Sequence, residues 1–159
     1  MKQIIRESIL WISLILVSII VGGTIYQMLV IVPEFNRDIP NAMIGFARGH
    51  ISTKSFWGAP FQDLCLLFLI ASTIFNWKNG RRYWILGTTI LAVLSIVLTI
   101  IIAVPQLQIM GILDGKPSND IELLTKTIKT FTMFDQLRFW TLIFPAYLLL
   151  IRAITIKVN

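Results

Sequence analysis

Asp63 and Arg138 are opposite charges inside two otherwise apolar stretches of a 159-residue chain, at what counts out as the same depth. Lys78 and Arg152 mark the basic edges of those two stretches. From Lys78 back to Asp63, and from Arg152 back to Arg138, the distances at helical rise are ~22 and ~21 Å, within the outer third of a hydrocarbon layer ~30 Å thick. A lone charge at that depth costs several kcal/mol, so embedded ionisable residues tend to pair and to mark sites. There a guanidinium can hold an anionic or carbonyl oxygen, and a carboxylate or imidazole can take a proton. Asp63, Arg138 and His50 are the candidate catalytic set. Tyr26, Gln27, Gln62, Trp57, Gln106 and Asp135 gather near the same end and are the candidate ligand-binding set. Asp135 and Arg138 are i, i+3 neighbours on one helix face, so Arg138 can be shared between two carboxylates. The competing reading is a clip that only fixes the register of two helices, since polar side chains join membrane helices at roughly 0.6–2 kcal/mol each. His50, preceded by Arg48 and Gly49, reads more readily as a solvated loop residue than as a catalytic one.

Four apolar stretches must position these groups. Ile9–Val32 and Tyr83–Val104 contain no charge, and Phe56–Trp77 contains only Asp63. Each exceeds the ~20 residues of a spanning helix. The fourth, Phe139–Ile151, is too short by itself and spans only by taking in Arg138 and Asp135. The first helix is expected to stop at Pro33, and Ser18 with Gly22 forms a small pair that would let another helix approach. Ile39, Met43, Ile44 and Phe46 suit a short surface helix in the first outer segment. Lys78-Asn79-Gly80 is a tight turn, making the second and third helices antiparallel neighbours. Gln106–Leu113 can continue the third helix beyond a kink at Pro105. Asp114-Gly115-Lys116-Pro117 reads as a turn, and Ser118 or Asn119 as the cap of the fourth helix, Asn119 with Glu122 having capping-box spacing. The two long helices would form a hairpin reaching ~15–20 Å beyond the bilayer.

With 56% hydrophobic residues and mean hydropathy +0.79, residues 1–159 read as one integral membrane domain. The side shared by both termini carries Lys2, Arg6, Lys78, Arg81, Arg82, Arg152 and Lys157 against Glu7. The net charge of +6 is therefore a topology signal, with both termini expected in the cytoplasm. The basic residues form no single patch interleaved with aromatics, which argues against nucleic acid as a partner. One cysteine, Cys65, excludes an internal disulfide or a CxxC motif, and one histidine excludes bis-histidine haem. No metal-ligand spacing is present and no cofactor is expected. The first apolar run is longer than the core of a signal peptide, so it reads as an anchor.

Tyr26-Gln27 with Val32-Pro33, then Phe56-Trp57, Pro60, Asn76-Trp77, Pro105 and Arg138 form a series along nearly the whole chain. In this the chain resembles the anthrone oxygenase-like family of small four-helix membrane proteins. The resemblance implies an all-α bundle and, as in fungal members, oxygen insertion into an activated aromatic carbon without an evident cofactor. That chemistry needs an apolar slot, a base and a cation for the oxyanion, roles that Asp63 or His50 and Arg138 would fill.

The sequence thus predicts an all-α, four-transmembrane-helix bundle, N-in and C-in, with a structured outer cap. Two function classes stay open. One is a pocket at Asp63 and Arg138 for a lipophilic or aromatic small molecule, extending to a cofactor-independent oxidoreductase. The other is a non-catalytic accessory protein whose cap docks a membrane partner or a second copy. Membrane lipids are partners in both.

Overall fold

A computed structural model describes residues 2–37, 39, 41, 61–113 and 116–156. Helix is the sole regular structure among these residues, in four rods: α1 (Gln3–Asn36), α2 (Phe61–Phe75), α3 (Arg82–Ile109) and α4 (Ile121–Thr155). α1, α3 and α4 are long and apolar enough to cross a membrane. α2 is apolar but has 15 residues, and the stretch upstream of it, with Phe56 and Pro60, lies outside the described residues. Only 28, 17 and 33% of the apolar windows of α1, α3 and α4 is buried. Residues such as Leu29, Ile101 and Leu67 face outward, as they do where the surroundings are as apolar as the core.

The long rods carry their prolines inside them. Pro33, Pro105 and Pro145 each stand two residues past a five-residue π turn: Gln27–Ile31, Thr99–Ala103 and Phe139–Ile143. Each π turn is closed by a bond across five residues, from the N–H of Val32, Val104 and Phe144 to the carbonyls of Gln27, Thr99 and Phe139. A proline ring in a regular helix strikes the carbonyl four residues back and leaves it without a donor. The wider π turn absorbs one extra residue and relieves that clash. α1 therefore passes through Pro33 instead of stopping there, contrary to the sequence expectation, and the kink expected at Pro105 is a π turn ahead of it.

Side-chain hydrogen bonds join the rods along their length. Ser13 and Ser72 link α1 to α2 at 2.8 Å, and Thr73 and Thr89 link α2 to α3 at 3.0 Å. Thr88 donates to the carbonyl of Ala146 on α4 at 3.1 Å. Gly22 is exposed with no atom within 4 Å of an added Cβ, so it makes no close approach to a helix among the described residues. The close approach uses Gly87, whose added Cβ would lie 3.1 Å from Leu149 Cδ1.

At the end holding both termini, Arg81 is not a free surface cation. It pairs with Glu7 at 2.6 Å and donates from Nε and Nη2 to the Ile156 carbonyl at 3.1 and 3.0 Å. One side chain thereby satisfies carbonyls at the C-terminus of α4 and neutralises an acid of α1. Arg81→Met should lower stability by about 2–3 kcal/mol, since it leaves a half-buried carboxylate and carbonyls unmet. Arg82→Met, at a neighbouring exposed cation–π contact with Tyr83, should change it by less than about 0.5 kcal/mol. Unfolding of the purified variants in detergent reads the contrast, and equal losses would refute it.

At the other end, helix flanks the 110–120 connection on both sides, as the hairpin reading requires. The details differ from expectation. α3 ends at Ile109 and not at Leu113, because Gly111 takes φ +71° and closes a Schellman motif. Its signature bonds are Ile112 N–H to Leu107 O at 3.0 Å and Gly111 N–H to Gln108 O at 2.9 Å. The N-cap of α4 is Asp120, not Ser118 or Asn119, and its carboxylate accepts from Leu123 N–H at 3.0 Å. Asp114 and Gly115, and most of the surface segment proposed around Met43, lie outside the described residues.

Candidate functional site

The rods place two separate apolar cores end to end. One, around Leu10, Leu69, Ile85, Phe139 and Leu150, fills the half nearer the termini. The other, around Phe35, Met110, Leu124, Ile128 and Phe131, is built from the segments beyond the π turns and the first half of α4. Between them lies a layer of buried polar groups. On α4 the stripe Leu124, Ile128, Phe131, Asp135, Arg138 repeats at alternating steps of four and three, so the two charges occupy core positions.

Asp135 and Arg138 are 1% and 8% exposed. Arg138 Nη2 donates to Asp135 Oδ1 at 2.5 Å, and Gln27 Nε2 donates to Asp135 Oδ2 at 3.0 Å. Arg138 Nη1 donates to the Thr99 hydroxyl, which itself donates to the Ser95 carbonyl at 2.7 Å. The Phe134 ring centroid lies 5.9 Å from the guanidinium. The network thus ties α1, α3 and α4 together where each changes its winding. Gln27 and Thr99 open their π turns and Arg138 immediately precedes the third. The π turn lets one rod present a polar residue to the axis and still pack apolar residues beyond it. A sequence signal existed: a polar residue six or seven positions ahead of each of Pro33, Pro105 and Pro145.

Asp63 is not part of this layer. It is exposed in the first described turn of α2, where a carboxylate favours the helix N-terminus, and it forms no ion pair among the described residues. The cause is angular. Cys65, Leu69 and Ser72 define the buried face of α2, and Asp63, two residues from Cys65, points away from it. The partner of Arg138 is Asp135, and the expected contact across helices 2 and 4 is corrected accordingly. Tyr26 is 56% exposed and also faces outward. Gln106 has a buried Oε1 with no donor in the structure. His50 and Trp57 lie outside the described residues.

Arg138 does line a cavity. Its walls include Gln62, Cys65 and Leu66 from α2, Thr88 to Thr99 from α3, and Val17, Ile143 and Ala146. The volume is about 60 Å³. That is well short of the ~300 Å³ expected of a small-molecule pocket, and below the ~150 Å³ of a cavity that admits benzene. Gln27, Tyr26 and Asp63 are absent from its walls. Arg138 Nε is buried and finds no acceptor among the described residues, while Nη1 and Nη2 donate one bond each, to Thr99 and Asp135. Cys65, the single cysteine, is buried on the same wall, and no group of three metal-ligating side chains occurs among the described residues. Comparisons of the chain with protein-family models, with curated proteins and with solved structures find no match.

Proposed function

We propose that the protein is an integral membrane protein of the bacterial plasma membrane that binds a lipophilic small molecule in the cavity beside Arg138. The four rods are read as four spans with both termini cytoplasmic, from the basic residues at that end, and the second core as a cap on the outer side. The observation that carries the binding reading is an apolar cavity lined in part by the buried Arg138, whose Nε–H has no acceptor among the described residues. An unmet buried donor costs ~1–3 kcal/mol, which a ligand oxygen or a water reaching the guanidinium would offset. An oxidoreductase of the kind implied by the anthrone oxygenase resemblance is the reaction-level extension of this proposal. In it Asp135, not Asp63, is the carboxylate beside the cation, and an aromatic substrate requires α2 and α3 to part.

The test is the content of the purified protein. Organic extraction of detergent-solubilised protein followed by mass spectrometry should release a lipophile in roughly equimolar amount. Ala92→Phe, which fills the cavity from α3, should release much less. Equal content in both, or none in either, removes the support for a binding site. A docking role for the cap is the second reading, favoured by the exposure of Ile121 and Leu123 in the first turn of α4, 58% and 42%. Loss of a co-purifying protein on replacing both by Ser would support it.

A further inference from the structure

We infer that the outward face of α2 docks a transmembrane helix of another protein, one bearing a lysine or arginine level with Asp63. This rests on reading the rods as spans and not on the cavity beside Arg138. Asp63, Leu67, Ile70 and Ile74 are all exposed and follow one another at steps of four, three and four, and Trp77 is exposed in the turn beyond. The opposite face, Cys65, Leu69 and Ser72, is the one buried in the bundle. Steps of four and three are the seam of a left-handed helix pair, the prevalent crossing in membrane bundles. The apolar members of that seam would sit equally well against lipid tails. Asp63 would not.

Its level in the bundle is fixed by its neighbour. Gln62 lines the same cavity as Thr99 and Arg138, so Asp63 stands level with the polar layer. On the other rods, outward-facing apolar side chains continue past that layer: Leu29 and Val30 beyond Gln27, Ile100 and Ile101 beyond Thr99, Leu137 and Met133 beyond Arg138. The surface at that level is still one made for hydrocarbon. Between it and the basic end, no other outward-facing side chain of the rods is charged, among the described residues. Asp63 forms no ion pair there. The N-terminus of α2 offsets a small part of the cost of a carboxylate in hydrocarbon, and the rest falls to a counter-ion.

That counter-ion has to come from outside. Arg138 is buried and committed to Asp135. The next cations along α4, Lys129 and Arg152, stand ~13 Å further out and ~21 Å further in at helical rise. A second copy in the same membrane therefore brings neither of them level with Asp63. The ammonium of a lipid headgroup lies outside the apolar belt. A basic side chain on another span, facing the seam, meets both the charge and the depth.

Energy transfer in vesicles tests this. The full-length protein, with a donor fluorophore at its C-terminus, is reconstituted in phosphatidylcholine and titrated with acceptor-labelled leucine–alanine helices of ~23 residues. These carry Lys, Leu or Glu one third of the way along. The Lys helix should associate about tenfold more tightly than the Leu helix, the worth of one polar pair between membrane helices. Asp63→Leu should remove that difference, and Asp63→Lys should transfer the preference to the Glu helix. Leu67→Ala with Ile74→Ala should weaken binding of every helix, while Ile90→Ala with Val97→Ala, outward on α3, should change nothing. Equal binding of the Lys and Leu helices, no binding of either, or a difference that survives Asp63→Leu overturns the inference. Equal losses from the α2 and α3 pairs do so too, because the face would then be wrong. Self-association of the protein without added helix, abolished by Asp63→Leu, would make a second copy the occupant and also overturn it. Each of these failures leaves the cavity reading untouched.

Discussion

Arg138→Met is expected to lower the unfolding free energy by about 3–5 kcal/mol, and the double substitution Asp135→Leu with Arg138→Met to cost less than that single change. The single variant leaves Asp135, 1% exposed, with Gln27 at 3.0 Å as its one remaining side-chain donor among the described residues. A buried carboxylate in that state is far more costly than an absent one. The double variant replaces both charges by apolar groups on a stripe that already runs Leu124, Ile128, Phe131, and so extends the core through the polar layer. Unfolding in mixed micelles, compared across Asp135→Leu, Arg138→Met and the double, gives the coupling directly. Additive losses would mean that the pair is not the unit described here.

The second large effect is expected at Gly111, where Ala should cost about 3–4 kcal/mol. A Cβ there would meet Pro117 N at 2.2 Å and the Lys116 carbonyl carbon at 2.6 Å, both backbone atoms that cannot swing aside. The left-handed φ of +71° adds ~1–2 kcal/mol for any residue with a side chain. Asn tolerates that φ better than Ala but carries the same Cβ. Gly111→Asn should therefore recover almost nothing relative to Gly111→Ala. Recovery of most of the loss by Asn would place the cost in the dihedral angle and refute the close approach. Gly111→Ala should also release the bond from Ser118 N–H to the Ile109 carbonyl, 3.0 Å, that holds the connection against α3.

The comparison of Asp63 with Asp135 shows what the sequence made legible. Axial position is a count of residues, and by count Asp63 and Arg138 share a depth. Azimuth depends on which face of each helix is buried, and that is decided by packing between helices. For α4 the face was readable, because the steps of three and four from Leu124 reach both Asp135 and Arg138. For α2 the buried face is itself partly polar, with Ser72 and Thr73, so the apolar pattern pointed nowhere in particular. The all-helical character and the 78–80 turn followed from long uncharged runs and from Lys-Asn-Gly. The π turns did not, since a proline in a long apolar run reads as a stop unless the alternative winding is considered. Arg81 was legible as a cation and not as a cap, because the carbonyls it meets, those of Ile154 and Ile156, belong to the far end of the chain.

That Arg138 finds its counter-ion three residues away on its own helix bears on how such a chain enters a bilayer. A helix whose only embedded charge is matched on a different helix must either wait for that partner or carry a bare ion into lipid, at ~2.5–3.5 kcal/mol at the helix centre on insertion scales. α4, read as a span, brings both members and can partition from the translocon as a neutral segment before the other rods have assembled around it. Gln27 and Thr99 then dock on a pair that is already formed. The order of biogenesis is thus freed from the order of packing.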